Sequence, residues 1–206
     1  MSPISLGVYG GARYEAPVYP EFVGAFAGTN PGTSVENIGN PYPERYVILA
    51  LGEYRSNAGN AGVAINGTAT IEAFTTPGAL YHRHHHDVSY LAVPDGDTAS
   101  FTIGGVNNRR GHIYTCPGPI THTNGVNSHG PGSTKSVSVT IPAGGFGIAV
   151  GTRDGTISTS VWTGVTGSSS EVSDSSSALV TSSGTVSVEF AGATTTGLSV
   201  AIFRPA

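Results

Sequence analysis

Side chains change character residue by residue through most of this chain, and a period of two leaves little room for anything but β-sheet. From Lys135 to the C-terminus the sequence reads KSVSVTIPAGGFGIAVGTRDGTISTSVWTG, then a serine-rich tract, then GTVSVEFAGATTTGLSVAIFRPA. Val, Ile and Phe alternate there with Ser, Thr and Glu, the signature of half-buried strands. The same grammar begins at Arg45. Arg45–Leu51 (RYVILAL) is nearly continuous in apolar residues and predicts a central strand covered on both faces. Ala61–Phe74 splits at Asn66-Gly67, a pair suited to a type I′ hairpin turn because both central residues need positive φ. Val88–Val93, Pro94-Asp95-Gly96-Asp97 and Thr98–Ile103 read as strand, turn, strand. His112–Thr115 predicts a short strand, Thr121–Ser133 a loop by composition, and Gly164–Ser177 a polar, serine-rich loop. Arg109-Arg110, beside Asn107-Asn108, reads as part of a turn. No amphipathic helical stretch interrupts the pattern. About ten to thirteen strands suit a two-sheet arrangement. The expected fold is all-β, an antiparallel β-sandwich of jelly-roll type.

Residues 1–44 break this grammar. Pro3, Pro17, Pro20, Pro31, Pro41 and Pro43 withhold the N–H that a strand ladder needs. Aromatic residues stand between them. The expectation is an extended proline- and aromatic-rich N-terminal arm over 1–44 and a sandwich over 45–206, either merged or in two lobes, 45–118 and 134–206. The arm either wraps its own sandwich or docks on a neighbouring subunit. Tyr14, Tyr19, Phe22 and Phe26 are the candidate interface anchors, since buried aromatic side chains dominate such contacts.

Composition excludes several function classes. Charged residues are 11% of the chain, far below the ~25% of an average globular protein, and Lys135 is the one lysine. With a net charge of −4 and no basic stripe, nucleic-acid binding is not expected. No apolar run is long enough for a membrane-spanning helix, and the N-terminal MSPISLGVYGG has neither the basic nor the apolar region of a secretory signal. Cys116 stands alone and reads as a small buried thiol.

The histidines are the one unusual chemical feature. Tyr81–Asp87 reads YHRHHHD. On a strand, His82, His84 and His86 would share a face, with Arg83 and His85 on the other. Same-face neighbours lie ~6.8 Å apart, close enough to share a transition metal such as zinc, nickel or iron. His112, His122 and His129 could complete such a site. The other readings are a solvent-exposed polar loop or edge strand, and a pH-dependent contact, because histidine titrates near neutrality. Catalytic residues are not assigned. No Gly-x-Ser-x-Gly elbow, no standout carboxylate pair and no phosphate-binding loop is present, so an enzyme is not expected and no cofactor is called for beyond that metal. Trp162 reads as core, with stacking on a glycan as its functional alternative.

RYVILAL (Arg45–Leu51), VAINGTATI (Val63–Ile71), YLAVPDGDTASFTI (Tyr90–Ile103), SVSVTIPAGGFGIAVGT (Ser136–Thr152), SVWTG (Ser160–Gly164) and GTVSVEFAG…LSVAIFRP (Gly184–Pro205) together resemble a loosely defined group of β-rich bacteriophage and prophage virion proteins. The most specific segments are Ile141–Val150 and Val161–Gly164. The resemblance implies a non-enzymatic structural component of the virion, of tail, fibre or capsid-decoration type. It would act through contacts with other virion proteins, as a homo-oligomer such as a trimer or pentamer. The alternative is a carbohydrate-binding module for adhesion to host-surface glycans, with Trp162 as its stacking platform.

Overall fold

The chain alternates between sheets as it advances, and it does so twice. A computed structural model describes residues 19–28, 32–54, 62–76, 84–104, 109–155, 159–167, 169–172 and 174–206. The first pass contains β1 (Glu21–Gly28), β2 (Gly32–Asn37), β3 (Arg45–Tyr54), β4 (Val63–Ile65), β5 (Thr68–Ala69), β6 (Ile71–Thr75), β7 (His84–Ala92), β8 (Thr98–Ile103) and β9 (Arg109–Pro117). These form a five-stranded sheet, β1-β9-β3-β7-β6, and a four-stranded sheet, β2-β8-β4-β5. The second pass contains β10 (Ile120–Pro131), β11 (Thr134–Val139), β12 (Phe146–Arg153), β13 (Ser160–Thr163), β14 (Ser169–Val172), β15 (Ser175–Val180), β16 (Gly184–Phe190) and β17 (Thr195–Pro205). Its sheets are β10-β17-β12-β15-β14 and β11-β16-β13. Every ladder is antiparallel. Apart from the short β5, the two passes have the same strand order and the same crossovers. With β5 set aside, each has eight strands in jelly-roll order, the fifth of them (β6 or β14) at the edge of the larger sheet.

Three apolar clusters stack the four sheets. In the first lobe Val47, Leu49, Leu51 and Ile113 of the larger sheet meet Ile65, Phe101 and Ile103 of the smaller. In the second lobe Ala149, Ala178, Leu198 and Val200 meet Val137, Val186, Val188 and Phe190. The third cluster joins the two larger sheets face to face. It sets Ile48, Ala50, Tyr90, Tyr114 and Cys116 against Phe146, Ile148, Val150, Leu179, Ala201 and Phe203. The larger sheets are therefore inner layers, covered on both sides. That is why β3 and β12 carry near-continuous apolar runs, whereas β8, β11 and β16 alternate.

Register makes the duplication residue-specific. Ile48 of β3 lies opposite Tyr114 and Tyr90, as Ile148 of β12 lies opposite Ala201 and Leu179. Ala50 faces His112 and Val88, as Val150 faces Ser199 and Ser177. The lobes meet through equivalent faces. β3 packs on its counterpart β12; β15 on β3 is matched by β7 on β12; β10 on β6 is matched by β1 on β14. A pseudo-twofold axis relates them, the geometry of an isologous dimer held in one chain.

The turns follow their chemistry. Asn66 (φ 50°) and Gly67 (φ 77°) close the β4–β5 hairpin with both residues left-handed. Arg45 does more than head a strand. Its guanidinium is fully buried and donates to the carbonyls of Val93 (2.8 Å), Gly39 and Asn40 (2.9 Å each), Asp95 (2.9 Å) and Gly96 (2.6 Å). One side chain thus ties the β2–β3 and β7–β8 connections together, using the rigid fork that distinguishes Arg from Lys.

Several expectations change. Residues 21–28 and 32–37, placed in the arm by their flanking prolines, are edge strands paired to β9 and β8. The lobes join at Gly118-Pro119, and Thr121–Ser133, expected as a loop, lies largely in the 12-residue edge strand β10. Its polar composition reflects an edge half open to solvent, and its partner β17 supplies the apolar register. The serine-rich tract contains β14 and the start of β15, where Ser175, Ser176 and Ser177 are buried. Arg109 and Arg110 are strand residues of β9.

Candidate functional site

The chemistry-bearing side chains gather at one end of the seam between the inner sheets. β7 delivers them by alternation. His84 and His86 project towards the second lobe, while His85 and Asp87 bond to each other (Nε2–Oδ2 2.8 Å) and the Thr75 hydroxyl donates to Asp87. His86 is completely buried. Its Nδ1 is 2.7 Å from Ser199 Oγ and its Nε2 2.7 Å from Thr152 Oγ1. His84 Nδ1 is also 2.7 Å from Thr152 Oγ1. A hydroxyl has one proton, so Thr152 donates to one ring and accepts from the other. His129 of β10 lies alongside, its ring 5.0 Å from that of His86 and 6.0 Å from that of His84.

β9 extends the seam. His112 Nε2 is 3.1 Å from Ser175 Oγ, and Tyr114 OH is 2.6 Å from Ser177 Oγ. Gly52 of β3 completes it. A Cβ there would sit 2.3 Å from Ser175 Oγ and 2.9 Å from Thr152 Cγ2, so only glycine permits this approach. Beyond Tyr114 the seam becomes apolar, ending in Tyr90, Phe146 and Phe203.

Burial sets the protonation states. His86 is held well below the ordinary histidine range, first by desolvation and then by its neighbours His129, His84 and His85. Burial alone takes His112 down to about 3. Both rings are neutral at physiological pH, because burial disfavours the charged imidazolium. Burial raises the Tyr114 phenol despite its bond to Ser177. It pushes the Cys116 thiol up to about 12, so no thiolate nucleophile forms there.

Of the three histidines expected to hold a metal, two lie within the described residues. His84 and His86 do share a face, but among the described residues no group of three or more His, Cys, Asp or Glu is placed to hold a metal ion. A metal needs a free imidazole lone pair, and both nitrogens of His86 are engaged by hydroxyls. His82 lies outside the described residues. His122 is remote from the cluster, its Nε2 2.8 Å from the Asn124 carbonyl oxygen and its ring edge-on to Phe203.

The aromatic anchors are also redistributed. A β-bulge between Phe22 and Gly24 shifts the alternation of β1. Phe22 therefore packs edge-on against Tyr114 in the seam (5.4 Å), and Phe26 packs against Phe101 inside the first lobe (5.8 Å). Tyr19, 40% exposed, is left at the surface, and Tyr14 lies outside the described residues. Trp162 is half-buried against the second lobe's core, and its Nε1 donates to Ser176 Oγ at 3.1 Å. The buried serines 175–177 were the residues sequence reasoning missed. Their signal was a local one: three small polar residues directly before the apolar Ala178-Leu179-Val180. Comparison of the chain with protein-family models, with curated proteins and with solved structures finds no match in any of the three.

Proposed function

We propose that this protein is a non-enzymatic structural component of a bacteriophage particle, of tail, fibre or capsid-decoration type, that works through contacts with other virion proteins and with copies of itself. One observation carries the reading: among the described residues, the histidines and the tyrosine of the seam face inward and are hydrogen-bonded to hydroxyls across it, so these groups are engaged in packing one lobe on the other. The segments from Arg45 to Pro205 that resemble β-rich virion proteins supply the class. Jelly rolls build capsid and lectin domains alike, and fold alone does not choose between them. Trp162 packs half-buried against the second lobe's core with its indole N–H bonded to Ser176, which supports a packing role for it. Mass spectrometry of purified particles tests the proposal. The chain is expected at a fixed, symmetric copy number. Its absence from intact, infectious particles would refute the assignment.

A further inference from the structure

The pseudo-twofold axis allows each seam contact to be compared with its own counterpart. His86 bonds to Ser199, and the equivalent contact is Ser175 to His112. Tyr114 bonds to Ser177, and the residues equivalent to these are Ala201 and Val88. At both polar positions the ring comes from the first lobe and the small hydroxyl from the second. A true homodimer could not do this, because symmetry would place the same residue on both sides.

We infer that the inner face of the first lobe is a surface that fits the inner face of the second and rejects the same face of another copy. If two first-lobe faces met in this register, His86 would oppose His112 where each now meets a serine. Two buried rings would then fill a space shaped for a ring and a hydroxyl, and Tyr114 OH would face Val88 with no hydrogen-bond partner. If two second-lobe faces met, Ser175 would oppose Ser199 and Ser177 would oppose Ala201, leaving cavities lined by hydroxyls. Specificity thus comes as much from the mismatch of like with like as from the fit of unlike faces.

Exchanging one pair in the full-length chain tests this. Ser175→His puts a second ring against His112 and lowers the urea midpoint by about 1 M, the scale of overpacking a closed site. Adding His112→Ser restores a ring-against-serine pair with its polarity reversed. The ring removed at 112 vacates the space that a ring at 175 needs, since the two side chains are in hydrogen-bond contact in the parent. The double variant is expected to recover at least about half of the lost midpoint, a coupling typical of residues in contact. If the single variant does not fold, a soluble and cooperatively unfolding double variant gives the same answer. A double variant no better than the single, or a single variant as stable as the parent, would overturn the inference.

Discussion

The two ends of the seam join the same pair of sheets by different physics. At one end Phe203 stacks on Phe146 (5.2 Å) and receives the edge of Tyr90 (5.4 Å), all three being buried. At the other, His84, His86 and His112 meet Thr152, Ser175 and Ser199 through hydrogen bonds. Apolar contact is non-directional and stabilises in proportion to area. The buried polar end adds little net stability beyond what desolvation removes, but it tolerates only one alignment. The apolar end therefore holds the lobes together, and the polar end fixes which faces meet and in what register.

The largest effect is expected where the apolar end is emptied. Phe203→Ala removes a ring packed on both faces and should cost about 3–5 kcal/mol, read as a shift in denaturant midpoint. A loss below about 1 kcal/mol would mean that the polar end carries the association.

Acid probes the polar end. The folded-state pKa of His112 is about 3, against an unfolded value near 6.5. The unfolded chain therefore binds the extra proton between these limits, and stability rises with pH across that window. On acidification His112 removes roughly 1.4 kcal/mol per pH unit below about pH 6.5, levelling off near pH 3. His86 is shifted in the same direction and adds to the slope. Both rings face the second lobe. Around them stand His84 and His85 on the same strand, His129 on β10, the neutral hydroxyls of Thr152 and Ser199 at His86, and that of Ser175 at His112. Urea titrations at a series of pH values check this. His112→Asn should flatten the slope by about one proton, and an unchanged slope would show that His112 does not titrate on unfolding.

How much of this the sequence disclosed follows from where each residue's partner lies. Local partners were legible. Asn66-Gly67 announced its hairpin, and the alternation of Thr98–Ile103, Ser136–Ile141 and Thr185–Phe190 announced strands with one covered face. The shared face of His84 and His86 followed from strand geometry alone. Distant partners were not legible. Ser199, the partner of His86, lies 113 residues away, so the cluster could not be recognised as packing. The duplication was hidden for the same reason that it works. Its paired positions diverged, His86 against Ser175, His112 against Ser199 and Arg45 against Gly145. β10 escaped notice because an edge strand need not alternate in polarity, and β1 because its bulge breaks the period between Phe22 and Phe26.

The junction of the two ends gives the smallest and most discriminating effect. Tyr114 belongs to both, its ring in the apolar cluster against Phe22 and its hydroxyl on Ser177 at 2.6 Å. Tyr114→Phe keeps the packing and deletes the hydroxyl, leaving the buried Ser177 without that bond. The expected loss is about 1 kcal/mol, the net worth of a buried hydrogen bond whose remaining partner stays desolvated. Adding Ser177→Ala removes the stranded hydroxyl as well and should return part of that loss, because replacing both partners by apolar groups is nearly neutral. A Tyr114→Phe variant that loses as much as Phe203→Ala would place Tyr114 with the residues that hold the lobes together. A double variant as unstable as the single would mean that Ser177 finds another partner, and that the polar end is more adaptable than its geometry implies.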